Sequence, residues 1–472
     1  MPSIPRRTLL TAAVGLFAMG RPRRSIAAAG DDAFPIDFLW GASTSSYQIE
    51  GAADEDGRGK SIWDVFSHTP GRVQNGDTGD VACDHYHRWR EDVGLIARGH
   101  FSAYRFSTAW PRILPSGGGA VEPRGLDFYD RLVDALIAAG IVPWLCLYHW
   151  DLPQALQDKG GWLNRDTCEK FADYARVVAA RLGDRVEHWA VFNEPNIHAL
   201  LGHGTGEHAP GLKGLDNMLG AVHHLNLAQG RGIQALRAER ADLRIGTVIS
   251  LQPARPSSDR PEDSRAAERF DAVWNGACLD PLMHGSYPAP IAAEFAPLLR
   301  ESDLSAMRQP IDYLGVNYYT PMYIRHAPNT LLGAWFGPAP PGTRVTAMGW
   351  LIDAGALTEE LIRLHDRYGD LDLYVTENGA CYEDRVTQDG TVHDEDRIAY
   401  LRDHLAACRR ALTAGAKLRG YFVWSLLDNF EWQQGYRRRF GVVHVDYKTL
   451  ERTPKASYRW LAAFIRKQRR ID

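Results

Sequence analysis

The chain has 472 residues, 45% of them hydrophobic and 24% charged, with a formal net charge of −4. This is ample material for a large core. No stretch approaches the ~20 apolar residues of a membrane span, and the charge balance offers no basic face for phosphates, so neither membrane insertion nor nucleic-acid binding is expected.

Residues 1–29 differ in kind from the rest. Arg6-Arg7 precede an apolar run from Thr8 to Met19, Arg21 to Arg24 follow, and Ala27-Ala28-Ala29 offers a small-residue cleavage site. The pattern reads as a twin-arginine export signal and predicts a periplasmic or secreted protein. If the segment does not act, it is a basic tail on a cytoplasmic one. Its removal takes five Arg and no acid, so Lys+Arg falls from 54 to 49 against 58 Asp+Glu and the balance moves to −9.

From Phe34 onward short apolar runs alternate with longer amphipathic stretches, the signature of repeated βα units. Strands are predicted at 39–43, 103–107, 142–148, 188–193, 245–250, 313–317, 373–376 and 420–424. Helices are predicted at 85–98, 125–139 (stopped by Gly140) and 165–181. Eight alternating strands imply a single (β/α)8 barrel over residues 30–472, an α/β fold whose active sites form at the carboxyl ends of the strands. Irregular stretches at 50–81, 252–263 and 321–349 all follow strands and should wall a deep pocket on that face.

Six scattered cysteines without a C-x-x-C pair read as small buried apolar residues rather than a disulfide framework. In Cys83-Asp84-His85-Tyr86-His87, histidines two apart on a helix point to different faces. Asp84 is expected to cap that helix rather than join a metal site. The basic carboxyl-terminal residues Arg466, Lys467, Arg469 and Arg470 suit the end of a last helix.

Two glutamates sit where a predicted strand meets a turn signal: Glu194 in Val191-Phe192-Asn193-Glu194-Pro195, and Glu377 in Tyr374-Val375-Thr376-Glu377-Asn378-Gly379. Taken singly, the first is an ordinary helix entry with Pro in the first turn, and the second an ordinary tight turn. Facing one another across a barrel mouth, they can act on a glycosidic bond as acid and nucleophile. Other strand ends carry groups suited to a sugar's hydroxyls and its C–H face: Gln48, Arg105, His149 with Trp150, Asn193, Asn317 with Tyr318 and Tyr319, Trp424, Glu431 and Trp432. Fourteen Trp are a surplus of which the core explains about half.

With these residues the chain resembles the β-glucosidases of glycoside hydrolase family 1 over residues 34–472. The matching segments are Phe38 to Ala52, Tyr148-His149-Trp150-Asp151-Leu152-Pro153, Phe192-Asn193-Glu194-Pro195, Asn317-Tyr318-Tyr319, Thr376-Glu377-Asn378-Gly379, and Trp424 to Gly441. The resemblance implies Glu377 as nucleophile and Glu194 as acid/base. It implies Gln48, His149, Trp150, Asn193, Asn317, Glu431, Trp432 and Phe440 as sugar contacts, Trp424 as a sugar platform, Trp350 on the aglycone side, and Arg105 and Tyr319 as partners of the nucleophile. Carboxyls about 5 Å apart would make a retaining enzyme, in which Arg105 and Tyr319 keep Glu377 ionised and Glu194 donates the proton.

Val191, where many members have Thr, should be silent, whereas Tyr382, where a Gly is usual, should reshape the loop after Glu377. Glu431 would repel a 6-phosphate, which favours unphosphorylated sugars. The expected activity is hydrolysis of terminal β-D-glucosyl residues from a small glucoside or oligosaccharide. β-Galactosides and β-fucosides are further substrates to expect, and sugars are expected as acceptors for transfer. The alternative is a catalytically weak carbohydrate-binding protein on the same barrel. No motif implies a cofactor or metal, since two carboxyls and a water suffice, and nothing specifies an oligomeric state.

Overall fold

The computed structural model describes residues 33–471; the predicted signal segment lies outside them. Eight parallel strands close into a barrel: β1 (Leu39–Ser43), β2 (Ala103–Ser107), β3 (Val142–Tyr148), β4 (His188–Asn193), β5 (Arg244–Ser250), β6 (Tyr313–Asn317), β7 (Asp372–Asn378) and β8 (Leu418–Trp424). Each pairs with its neighbour in chain order, and β8 closes on β1 with Gly41 opposite Phe422. All eight predicted strands are present, β5, β7 and β8 being one to three residues longer than expected. The predicted helices appear as His85–Arg98, Pro123–Ala138 and Asp166–Leu182, and Gly140 has the left-handed φ of 70° that ends the second.

The floor of the barrel is an aromatic plug. Trp144 meets the rings of Tyr313, Tyr374 and Phe422 edge-on at 4.8, 4.7 and 5.1 Å, and Ala103 completes the cluster. Five residues from alternate layers of five strands thus fill the interior, as a barrel core requires. The two glutamates belong to the layers above.

Two register shifts decide what those upper layers contain. Along β4, Ala190 pairs with Gly246 but Asn193 with Val248, so β4 holds one extra residue. Phe192 accordingly stacks outward on Phe171 of the surrounding helix at 4.6 Å, while Asn193 turns inward. Along β7, Val375 pairs with Val316 and Glu377 with Asn317, again one residue in excess. A strand alternates faces with period two, so with Tyr374 inward an uninterrupted β7 would point Glu377 outward. The bulge reverses that parity and aims the carboxylate into the barrel mouth.

Three expectations need correction. The stretches 252–263 and 321–349 are not irregular throughout: Ala254–Pro256, Met322–His326 and Ala334–Phe336 form a three-stranded sheet, and 50–81 contains a helix, Ile62–Ser67, with a Ser61/Asp64 capping box. Asp84 precedes its helix in a left-handed conformation, but its carboxylate bonds His87 Nδ1 at 2.6 Å instead of capping the backbone. Asn378-Gly379 is not a tight turn either. β7 runs through Asn378, and Gly379 is required because a Cβ there would lie 1.9 Å from the Trp424 carbonyl oxygen. The six cysteines are free and buried, and the last helix, Ala456–Arg469, ends in Arg466, Lys467 and Arg469.

Candidate active site

Glu377 is held from two sides. Its Oε1 accepts from Arg105 Nη1 at 2.7 Å and its Oε2 from the Tyr319 hydroxyl at 2.8 Å. Arg105 lies on β2 two residues above Ala103, so it belongs to the layer directly over the aromatic plug and is fully buried. Its second nitrogen donates to Asn193 Oδ1 at 2.6 Å. Asn317, at the end of β6, donates its Nδ2 to that same Oδ1 at 3.0 Å and to Glu194 Oε1 at 2.9 Å. One chain of hydrogen bonds therefore links both glutamates across four strands.

This chain also fixes protons. Asn193 Oδ1 accepts from two donors, so its Nδ2 must face His149 Nε2, at 3.0 Å. Burial, and then the charge of Arg105, hold His149 well below its ordinary pKa. The neutral ring accepts at Nε2 and carries its proton on Nδ1, which is buried and has no partner among the described residues.

The carboxyl groups differ in their surroundings. Burial, reinforced by the charge of Glu377, pushes Glu194 up to about 8. Burial also raises Glu377, but Arg105 first and then Tyr319 and Asn317 oppose it. The net direction is upward, so these partners moderate the effect of burial on Glu377 without overcoming it. Burial and then Glu377 push a third carboxyl, Glu431, up to about 8 as well. Three buried carboxyls share one guanidinium. The charge belongs on Glu377, which bonds Arg105, and the protons on Glu194 and Glu431.

A cavity of about 550 Å³ opens above this network. Of the residues singled out in the sequence, His149, Trp150, Glu194, Tyr319, Trp350, Glu377, Trp424, Glu431, Trp432 and Phe440 form its wall. Gln48, Arg105, Asn193 and Asn317 lie behind it. Gln48 donates to Asn429 Oδ1 and the Phe430 carbonyl and accepts from Ser45 Oγ, and it sits on a short helix after β1 rather than on the strand. Trp150 Nε1 is likewise engaged, by the Asn193 carbonyl at 2.9 Å. Trp150, Glu194 and Trp432 all have left-handed φ, of 78, 45 and 50°. Such strain, of order 1–3 kcal/mol each, gathers where function fixes side-chain direction.

Six of the fourteen Trp line the cavity: Trp150, Trp274, Trp335, Trp350, Trp424 and Trp432. Trp274 and Trp335 were not singled out in the sequence, nor were Glu207, His208, Gln252 and Phe336. The length of the 252–263 and 321–349 segments signalled Gln252, Trp335 and Phe336. His208 and Trp274 carried no sequence signal. Tyr382, in the loop after Glu377, makes a bridge to Arg439, and its ring lies 5.5 Å from the Arg397 guanidinium.

The profile of Glycosyl hydrolase family 1 matches residues 30–470. The chain belongs to glycosyl hydrolase family 1. Among family members, the 1,4-beta-D-glucan glucohydrolase of Thermotoga neapolitana is 46% identical over 438 residues, covering 92% of this chain and 98% of that one. The beta-glucosidase of an Agrobacterium strain is 47% identical, with coverage of 91% and 95%. A family structure, the beta-glucosidase of Thermotoga maritima in complex with deoxynojirimycin, superposes with a TM-score of 0.89 at 45% identity, covering 92% and 99%.

Proposed function

We propose that the protein is a retaining β-glucosidase that releases terminal β-D-glucosyl residues, with Glu377 as nucleophile and Glu194 as acid/base. The observation that carries this reading is the asymmetry of the carboxyl pair: Glu377 bonds a guanidinium and a phenol, whereas burial and the neighbouring charge push Glu194 up to about 8. In the first step protonated Glu194 gives its proton to the glycosidic oxygen, Glu377 attacks the anomeric carbon, and the bond to the aglycone breaks. The glycosyl ester removes the charge on Glu377, so Glu194 becomes more acidic and can act as base. Water then gives its proton to Glu194 and its oxygen to the anomeric carbon, expelling the Glu377 carboxylate. Two inversions leave the β configuration intact.

The polar atoms left without protein partners suit the sugar: His149 Nδ1–H as donor, and the Glu431 carboxyl, whose Oε2 is buried and unpaired among the described residues. Trp424, with His149 nearly parallel at 5.8 Å, supplies a flat face for the ring. A binding protein would need neither the Arg105 and Tyr319 bonds on Glu377 nor a protonated Glu194. Release of β-glucose as the first anomer from 4-nitrophenyl β-D-glucoside, followed by NMR, is the expected result. Glu377→Ala should abolish turnover, and azide should restore it as α-glucosyl azide. Ligand binding without turnover would transfer the reading to a binding protein.

Residues 1–29 form, in this reading, a twin-arginine export signal, and the protein acts outside the cytoplasm. In support, the family match begins at residue 30, directly after Ala27-Ala28-Ala29. Arg6→Lys with Arg7→Lys should retain activity in the cytoplasmic fraction; unchanged export would remove the assignment.

A further inference from the structure

The residue in excess on β7 is Thr376, which lies between the pairs Val375 with Val316 and Glu377 with Asn317. It is fully buried, and its carbonyl accepts from Ser43 Oγ at 2.7 Å. Its side chain lies over Gly315 of β6, where a Cβ would stand 2.8 Å from Oγ1 and 2.9 Å from Cγ2. Thr376 Oγ1 donates to Asn317 Oδ1 at 2.8 Å. The bulge that turns Glu377 into the barrel mouth thus also brings a hydroxyl onto the amide that bonds Glu194.

The direction of that amide follows from counting donors. Arg105 can only donate, so the Asn193 atom facing it is Oδ1, and the Asn317 atom that shares this Oδ1 must be Nδ2. Asn317 therefore directs its N–H groups to Asn193 and Glu194, and its Oδ1 is left to accept. Among the described residues Thr376 is the donor that reaches it. The backbone on either side is pinned, with Leu251 N donating to the Asn317 carbonyl at 3.1 Å and Tyr318 N to the Glu377 carbonyl at 3.0 Å. What remains free in Asn317 is the rotation of its side chain, whose amide torsion is broad. Without the hydroxyl a buried acceptor would be left unpaired, and the amide would turn away from Glu194 to relieve it.

We propose that Thr376 is a positioning residue for the acid/base: its hydroxyl holds the Asn317 amide so that Nδ2 donates to Glu194. The inference rests on the β-glucosidase reading, with Glu194 as acid/base, and adds to it the group that orients that carboxyl's donor. The N–H of Asn317 favours the charged form of Glu194, together with Arg105 and against burial, Glu377 and Glu431. Loss of the Thr376 hydroxyl should therefore let Glu194 keep its proton to higher pH. The test is the pH dependence of kcat/KM for methyl β-D-glucoside, whose alkoxide leaving group needs that proton. In Thr376→Ala the alkaline limb should move to higher pH by about one unit, the size of one lost hydrogen bond to a charged group. In Thr376→Ser, which keeps the hydroxyl, the limb should stay at its wild-type position. Thr376→Val refills the space over Gly315 and should shift as Thr376→Ala does, which keeps the test open if the alanine variant fails to fold. Carbon NMR of the labelled Glu194 carboxyl reads the same shift in a variant too slow for kinetics. A lower thermal midpoint with an unmoved limb, or a serine variant that shifts as far as the alanine one, overturns the inference and leaves the β-glucosidase reading intact. A wild-type enzyme that turns over no β-glucoside removes both.

Discussion

At the scale of single residues the site is a problem in placing one negative charge among three buried carboxyls. Glu194 must be protonated to donate, so kcat/KM should fall as pH rises through about 8, the value to which burial and Glu377 push it. Glu377→Gln removes the neighbouring charge but not the burial, so the Glu194 carboxyl should titrate below 8 in that variant. Carbon NMR of the labelled carboxyl would read the shift directly, and an unchanged titration would mean that the two groups do not interact. Tyr319 makes a different prediction. In the second step Glu377 departs as a carboxylate, and the phenol that bonds Oε2 at 2.8 Å meets charge as it develops. A hydrogen bond to a charged group contributes about 1.5–3 kcal/mol, so Tyr319→Phe should lower kcat roughly 10- to 100-fold. Because the deficit falls on the second step, an aryl glucoside with a good leaving group should show a burst of phenol release. A uniform slow release would place the loss in the first step instead.

At the scale of elements, the eight strands are legible in the chain because they are short apolar runs alternating with longer amphipathic stretches. The two glutamates are legible for a related reason, being acidic groups at the ends of such runs. The bulges that aim them are not. Nothing in Tyr374-Val375-Thr376-Glu377 marks an extra residue, and strict alternation from Tyr374 would turn Glu377 away from the barrel. Trp274 is illegible because it sits in a helical segment, and it reaches the cavity only when that helix packs beside Phe336. Gly379 looks like a turn residue but answers a contact 45 positions away, where the Trp424 carbonyl of β8 would lie 1.9 Å from a Cβ. Gly379→Ala must push apart the ends of β7 and β8, which carry Glu377 and Trp424. It should cost stability at or above the upper end of the ~1–3 kcal/mol typical of overpacking, and it should lower kcat/KM together with the thermal midpoint. Gly390→Ala is the contrast, since that glycine has φ 73° but nothing within 4 Å of an added Cβ. It should cost only about 1 kcal/mol and leave kcat/KM unchanged. Equal effects of the two substitutions would refute the steric account.

Across the whole molecule, a buried cluster of charges ties the active-site loops to the last helix. Arg397 pairs with Asp384 and Asp394, Lys455 with Asp384 at 2.5 Å and Asp428 at 2.7 Å, and Arg439 with Asp428 at 2.7 Å. These six side chains sum to zero charge. They also hold backbone: Arg397 donates to the carbonyls of Ala380 and Arg439, and Asp428 accepts from Gly441 N, so the loops after Glu377 and around Phe440 share one anchor with Lys455. Burial holds Lys455 below its usual pKa, against the pull of its two aspartates. Lys455→Met leaves two buried carboxylates short of a partner, a loss of the kind that costs about 3–5 kcal/mol. At about 2 °C per kcal/mol the thermal midpoint should drop by roughly 6–10 °C. Adding Asp384→Asn to Lys455→Met returns the cluster to zero charge, with Arg397 and Arg439 facing Asp394 and Asp428. If charge balance is what the cluster requires, the double variant should be more stable than Lys455→Met alone, even though Asp384 is a partner of Arg397. If instead each side chain matters only for its own contacts, the second substitution should lower the midpoint further, and differential scanning calorimetry of the three proteins distinguishes the two.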